Sequence, residues 1–314
     1  MLKPVPARAL LALSLSMLLS SLGTSVANVA LPTFAKTFGA SFGQVQWVVL
    51  AYLLAVTSLI VGAGRLGDMV GRRRLLLAGI LLFTAASALC GAAPTLWLLV
   101  AARAVQGLGA AIMMALTMVF AAEIVPKGGT GRAMGLLGTM SAAGTALGPS
   151  LGGLLIAGPG WRWIFLVNVP LGAAAFLLAR RHLPADRAPV GRDRFDALGT
   201  FLLGSTVCAY ALAMTVGRGQ FGPFNLALLA SALAGAGLFV MAERRAEAPL
   251  IRLAMLRDRG LGGALAASAL VATVMMATLV VGPFYLARTL GLTPALVGLM
   301  LSVGPAVAAL TAAP

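Results

Sequence analysis

Gly64-Arg65-Leu66-Gly67-Asp68-Met69-Val70-Gly71-Arg72-Arg73-Arg74 is a charged, glycine-punctuated stretch between two long apolar runs. Glycine permits a tight turn where two helices nearly touch. An aspartate beside a helix N-terminus is favoured by exposed N–H groups and by the dipole. The cluster of Arg72, Arg73 and Arg74 suits the anionic cytoplasmic face of a bilayer. The stretch therefore reads as a short cytoplasmic turn between two membrane-spanning helices.

Working outward, the same alternation of apolar run and short charged loop fills the chain. A lipid-spanning helix needs about 20 mostly apolar residues. Ten runs qualify: 10–31, 45–64, 75–93, 96–121, 133–157, 163–181, 197–216, 224–242, 260–286 and 293–313. Of 314 residues, 60% are hydrophobic and only 10% charged, with a mean hydropathy of +1.00, too little polar surface for a soluble domain of this length. The formal net charge of +15 does not mark a nucleic-acid binder, because the charges sit in connections between spans. With the N-terminus inside, eighteen basic residues fall on the cytoplasmic side and four outside, Lys36, Arg162, Arg218 and Arg288; Arg103 lies within a span, which accounts for all 23. That asymmetry sets the orientation. A basic start followed by an apolar run resembles a signal peptide, but the run continues to Leu31, too long for an ordinary one. Cys90 and Cys208 both fall inside spans and read as free packing residues. No metal-ligand spacing is present.

The expected organisation is all-α: a six-span bundle over 1–182, a cytoplasmic linker over 183–196, two further spans over 197–242, a cytoplasmic loop over 243–259, and the start of a second bundle over 260–314. The linker region is polar and carries Pro184, Pro189 and, at its edge, His182. Ala35-Lys36-Thr37-Phe38-Gly39 after the first span is echoed by Ala287-Arg288-Thr289-Leu290-Gly291 after the ninth. Repeated halves are a pattern of transporters. The echo predicts that the ninth span restarts the fold of the first, so that the second half is incomplete over these residues.

Several motifs now carry a resemblance. The Gly64–Arg74 stretch resembles motif A of the major facilitator superfamily, with Met69 at a position that is usually basic. Arg103, Gln106 and Gly107 in the fourth span resemble motif B. Gly144, Gly148, Pro149, Gly152 and Gly153 in the fifth resemble motif C, the antiporter signature. The end of the first span, Gly23-Thr24-Ser25-Val26-Ala27-Asn28-Val29-Ala30-Leu31-Pro32, is similar to that of the fourteen-span drug:proton antiporters. Trp47, Tyr52 and the run Trp161-Arg162-Trp163-Ile164-Phe165 with Asn168 and Pro170 are similar to that group too. Many of its members carry an aspartate where this chain has Gly23.

The resemblance implies a secondary transporter of the major facilitator type and not an enzyme. It implies proton-driven, multidrug-type efflux of small amphipathic compounds, or alternatively carriage of a single metabolite such as a vitamin or amino acid, with a non-functional fragment as a third reading. In motif A, Gly64, Arg65, Gly67, Asp68, Gly71, Arg72 and Arg73 would form a cytoplasmic gate latched against a helix of the second half. Arg103, Gln106, Gly107 and Asn28 would serve coupling or the central cavity. Trp47, Tyr52, Met113 and Met114 are candidates to line a substrate pocket, methionine being soft and adaptable. An arginine at mid-membrane costs about 2.5–3.5 kcal/mol on insertion scales and should have a partner; the alternative is that Arg103 reaches to the headgroups. The eight acidic residues, Asp68, Glu123, Asp186, Asp193, Asp196, Glu243, Glu247 and Asp258, all avoid the middle of a span. A coupling acid would thus lie beyond these spans, or be Glu123 reaching inward, or not be a carboxylate. No bound cofactor, metal or nucleic acid is expected. The expected setting is a bacterial cytoplasmic membrane, with the chain multi-pass, its N-terminus inside, and monomeric.

Overall fold

A computed structural model of the chain describes residues 7–125, 129–186, 196–216, 222–246 and 259–311. The centre of the linker and most of the 243–259 loop lie outside the described residues, as do Lys127 and Arg218. Thirteen helices follow in order: α1 (Ala7–Val29), α2 (Leu31–Phe38), α3 (Phe42–Val45), α4 (Trp47–Val70), α5 (Arg72–Ala92), α6 (Leu96–Ile124), α7 (Thr130–Ala157), α8 (Trp163–Leu166), α9 (Asn168–His182), α10 (Ala197–Thr215), α11 (Pro223–Arg245), α12 (Arg259–Arg288) and α13 (Pro294–Thr311). No strand occurs among the described residues. Nine segments there are long and apolar enough to cross a membrane, counting α3 with α4 and α8 with α9 as one each. The tenth expected span is α13, of 18 residues.

Proline decides where the helices break. Pro32 cannot donate to the carbonyl four residues back, and the first span turns at Ala30 into α2. Pro170 does the same to Leu166, dividing the sixth span at Val167. Gly39 takes a left-handed φ of 59° and closes α2, and Gly291, three residues beyond the end of α12, takes 63°. Glycine adopts such a conformation without a Cβ penalty. Each of the two echoed stretches thus places a left-handed glycine after a helix.

α1 is the axis of the first bundle. Of its most apolar window 72% is buried, against 6% for α12. Two apolar clusters surround it. One, toward the α4–α5 turn, includes Leu13, Leu76, Phe83, Met113, Leu116 and Phe120. The other, toward the opposite end, includes Val26, Phe34, Val48, Leu99, Trp161 and Phe165. α10 and α11 pair with each other, and α10 lies along α4, where Gly204 faces Ser58.

One boundary departs from expectation. α4 runs to Val70, so the first half of the charged turn is itself helical and only Gly71 interrupts the chain before α5. Arg180, Arg181 and His182 form the last turn of α9, which ends where the linker was expected to begin. Basic side chains there are favoured by the carbonyls and the negative end of the dipole.

Candidate functional site

At the turn between α4 and α5, Gly71 has φ +103°, a value only glycine holds readily. It lets α5 start one residue after α4 stops. Gly67 meets Leu116 of α6, where an added Cβ would lie 2.7 Å from the leucine Cδ2, whereas Gly64 has open space around it. Arg72 Nε donates to Asp68 Oδ1 at 2.6 Å, and its Nη1 donates to Glu123 Oε1 at the end of α6. Asp68, Arg72 and Glu123 therefore tie α4, α5 and α6 together. Glu123 does not reach inward: Arg72 engages it at the end of the bundle, where its side chain is 44% exposed. Asp68 likewise has a partner within the first bundle. The Arg73 guanidinium donates to the carbonyl of Arg180, adding the end of α9.

Halfway through the bundle, at the boundary of the two apolar clusters, lies a polar layer. Arg103 is fully buried, which excludes the headgroup alternative. Its Nε donates to Val48 O at 2.9 Å, Nη1 to Gln106 Oε1 at 2.6 Å, and Nη2 to Gly23 O at 2.9 Å. Gln106 Nε2 donates to Ser87 Oγ at 2.7 Å. The guanidinium also lies 4.2 Å from the Tyr52 ring centroid, within reach of a cation–π attraction. One side chain of α6 thereby joins α1, α4 and, through Gln106, α5. Among the described residues no carboxylate takes part. The charge is held by oriented neutral oxygens and a ring, including helix carbonyls whose second lone pairs remain available to an additional donor. Gly107 permits this approach, because an added Cβ would lie 2.5 Å from Tyr52 O. At Gly23 an added Cβ would lie 3.1 Å from the Tyr52 hydroxyl and 3.3 Å from the Phe83 ring, so the space that an aspartate would need is already filled.

Tyr52 donates to Ser20 O at 2.7 Å and is buried, as is Met113; Trp47 and Met114 are half-buried. Asn28 is fully buried; its Nδ2 donates to Thr24 O at 3.3 Å, and its Oδ1 has no hydrogen-bond partner. The residues expected at a central cavity, Arg103, Gln106, Gly107 and Asn28, are thus placed inside the first bundle and not on its surface.

The fifth span carries a second junction. Gly144, Gly148 and Gly152 of α7 face α1, where added Cβ atoms would lie 2.7 Å from Leu18 O, Ser25 Cβ and Val29 Cγ1 respectively. Ser25 Oγ donates to Gly144 O at 3.2 Å, and Ser21 and Ser141 hydroxyls pair at 2.8 Å. Gly153 faces α13 instead, 3.1 Å from the Gly298 Cα by the same measure. Pro149 disrupts the helical ladder beside it, and the Ser150 N–H turns to Ser302 Oγ of α13 at 2.9 Å. Small residues at four-residue spacing let backbones approach in lipid, where packing and hydrogen bonds drive association. Sequence reading missed the α13 partner residues Gly298 and Ser302; a glycine and a serine four apart were the only signal.

Helices long and apolar enough to span a bilayer, a charged turn at motif A, a buried arginine layer and a glycine seam define the class of polytopic helical membrane proteins. A family model described as Major Facilitator Superfamily matches residues 13–314, and the chain belongs to that family. The chain is 35% identical over 295 residues to the multidrug resistance protein Stp of Mycobacterium tuberculosis, covering 93% of this chain and 55% of the relative. It is 32% identical over 305 residues to the riboflavin transporter RibZ of Clostridioides difficile, covering 96% and 66%. It is 33% identical over 285 residues to the multidrug resistance protein B homolog of M. tuberculosis, covering 89% and 52%. The chain therefore spans about half to two thirds of the length of these relatives. Among solved structures it shares its fold with an inward-open conformation of the xylose transporter XylE from E. coli, at a TM-score of 0.50 and 16% identity over 74% of this chain and 66% of that one.

Proposed function

We propose that the chain supplies the first bundle, the inserted helix pair and the opening spans of a secondary active transporter. The transporter exports small amphipathic compounds by alternating access, driven by a proton gradient. It works as a monomer in a bacterial cytoplasmic membrane with its N-terminus inside, and it needs no bound cofactor. One observation carries this reading. The start of the second half touches the first bundle through Phe42 on Phe284 with ring centroids 4.8 Å apart, Gly153 on Gly298, and Ser150 on Ser302, and α13 lies along α7. Toward the cytoplasm α12 is exposed from Gly263 to Val274. A second half that seats one helix on the first bundle and leaves its neighbour uncovered over this stretch suits a carrier whose halves rock about a central site. The names of the multidrug resistance relatives support efflux. The proton as driving ion rests on the resemblance to drug:proton antiporters.

The riboflavin transporter among the relatives favours a second reading, carriage of one metabolite. Expression of the uninterrupted reading frame in an efflux-deficient bacterial host separates the two. Raised tolerance to several unrelated amphipathic drugs, abolished by a protonophore, is expected. Unchanged tolerance together with transport of a single nutrient overturns the multidrug reading.

A further inference from the structure

The linker does not leave the first bundle where α9 ends. Leu183 caps that helix, its N–H donating to Ala179 O at 3.0 Å, and its side chain is buried in the cluster toward the α4–α5 turn. Pro184 prevents the helix from continuing. Two residues later Asp186 comes back over the start of α5. Its Oδ1 accepts the Arg73 N–H at 2.7 Å and its Oδ2 accepts the Arg74 N–H at 3.2 Å, while Arg74 Nε stands 3.9 Å from Oδ2. These are first-turn N–H groups, which have no acceptor within their own helix. The residue at the N-cap position is Gly71, whose missing side chain makes the room: a Cβ there would lie 2.6 Å from Asp186 Oδ2 and 2.7 Å from its Cγ. The Asp186 side chain is 18% exposed, better shielded than Asp68 at 36% or Glu123 at 44%.

We propose that Asp186 is the positioning residue of the cytoplasmic turn. It is a cap delivered from more than a hundred residues away, and it fastens the beginning of the linker to the α4–α5 junction. The arginine cluster of motif A thus serves acidic partners on two sides. Arg72 holds Asp68 and Glu123, whereas the backbone of Arg73 and Arg74 holds Asp186. Leu183 and Asp186 pin the linker at both ends of a four-residue strap, so any pull on the linker is delivered to the turn. Glycine at 71 is required twice, for its φ and for the space the carboxylate occupies. This inference concerns the chain's own packing and stands whether or not the proposed transport activity holds.

Hydrogen exchange of the purified chain, read at the Arg73 and Arg74 amides, tests it. Those two amides should be protected in the wild-type chain. D186A should speed their exchange by about tenfold, the usual effect of losing an N-cap, and D186N, which keeps one acceptor oxygen, should fall between. E123Q, which removes the other partner of the arginine cluster, should leave both amides protected. Exchange in D186A and D186N within about twofold of wild type overturns the proposal, as does an E123Q effect as large as that of D186N. Should D186A fail to fold, D186N decides alone.

Discussion

Replacing Arg103 by lysine keeps the charge and should nevertheless be severe. The guanidinium spreads its donors toward three acceptors on three helices, Val48 O, Gln106 Oε1 and Gly23 O, at 2.9, 2.6 and 2.9 Å. A lysine ammonium carries three donors on one atom, so it holds one of these acceptors and loses about two. Each hydrogen bond to a charged group contributes about 1.5–3 kcal/mol, giving a loss of about 3–6 kcal/mol for Arg103→Lys. At about 2 °C per kcal/mol for a chain of this size, the unfolding midpoint should fall by about 6–12 °C. Arg103→Met should cost no more than Arg103→Lys, because it also removes the burial of an uncompensated charge, about 2.5–3.5 kcal/mol on insertion scales. Thermal unfolding in mild detergent, followed by tryptophan fluorescence, measures both. A lysine variant within about 2 °C of wild type would refute the three-way clamp. A methionine variant clearly worse than lysine would show that the charge itself, and not the geometry of its donors, is what the layer needs.

Gly148→Ala should force α7 from α1, since its Cβ would meet Ser25 Cβ at 2.7 Å and Val26 N at 3.0 Å; overpacking of this kind costs about 1–3 kcal/mol, read in the same unfolding assay. Glu123→Gln should change stability by less than about 1 kcal/mol, because the Arg72–Glu123 pair is 32% and 44% exposed and solvent screens it; a midpoint drop as large as that of Arg103→Lys would contradict this surface role. Reporters fused after Arg74 and after Arg218 should mark opposite sides of the membrane, and the same side for both would break the helix order on which every placement here depends. Cysteines introduced at positions 150 and 302 should cross-link, since Ser150 N lies 2.9 Å from Ser302 Oγ; adding Gly153→Leu should prevent α13 from seating on α7 and abolish that cross-link.

Much of this chain can be read in one dimension. The spans, the end of the first before Pro32, and the charged turn at Gly64–Arg74 all follow from short-range patterns, because lipid forces each apolar run to satisfy its own backbone as a helix. The motif residues were also legible as a set. Their partners were not. Arg103 asked in sequence only for a partner, and which one could not be read there: it is held by carbonyls of residues 23 and 48 and by a tyrosine ring. Glu123 was a candidate to reach inward, yet Arg72 takes it 51 residues away. Asp186 looked like an ordinary linker charge and proves to be a helix cap. Composition and spacing determine that a helix forms and which residues share its faces. Which carbonyl faces which guanidinium, and which of two neighbours a glycine seam admits, depend on how helices far apart in sequence cross. Only their packing sets that.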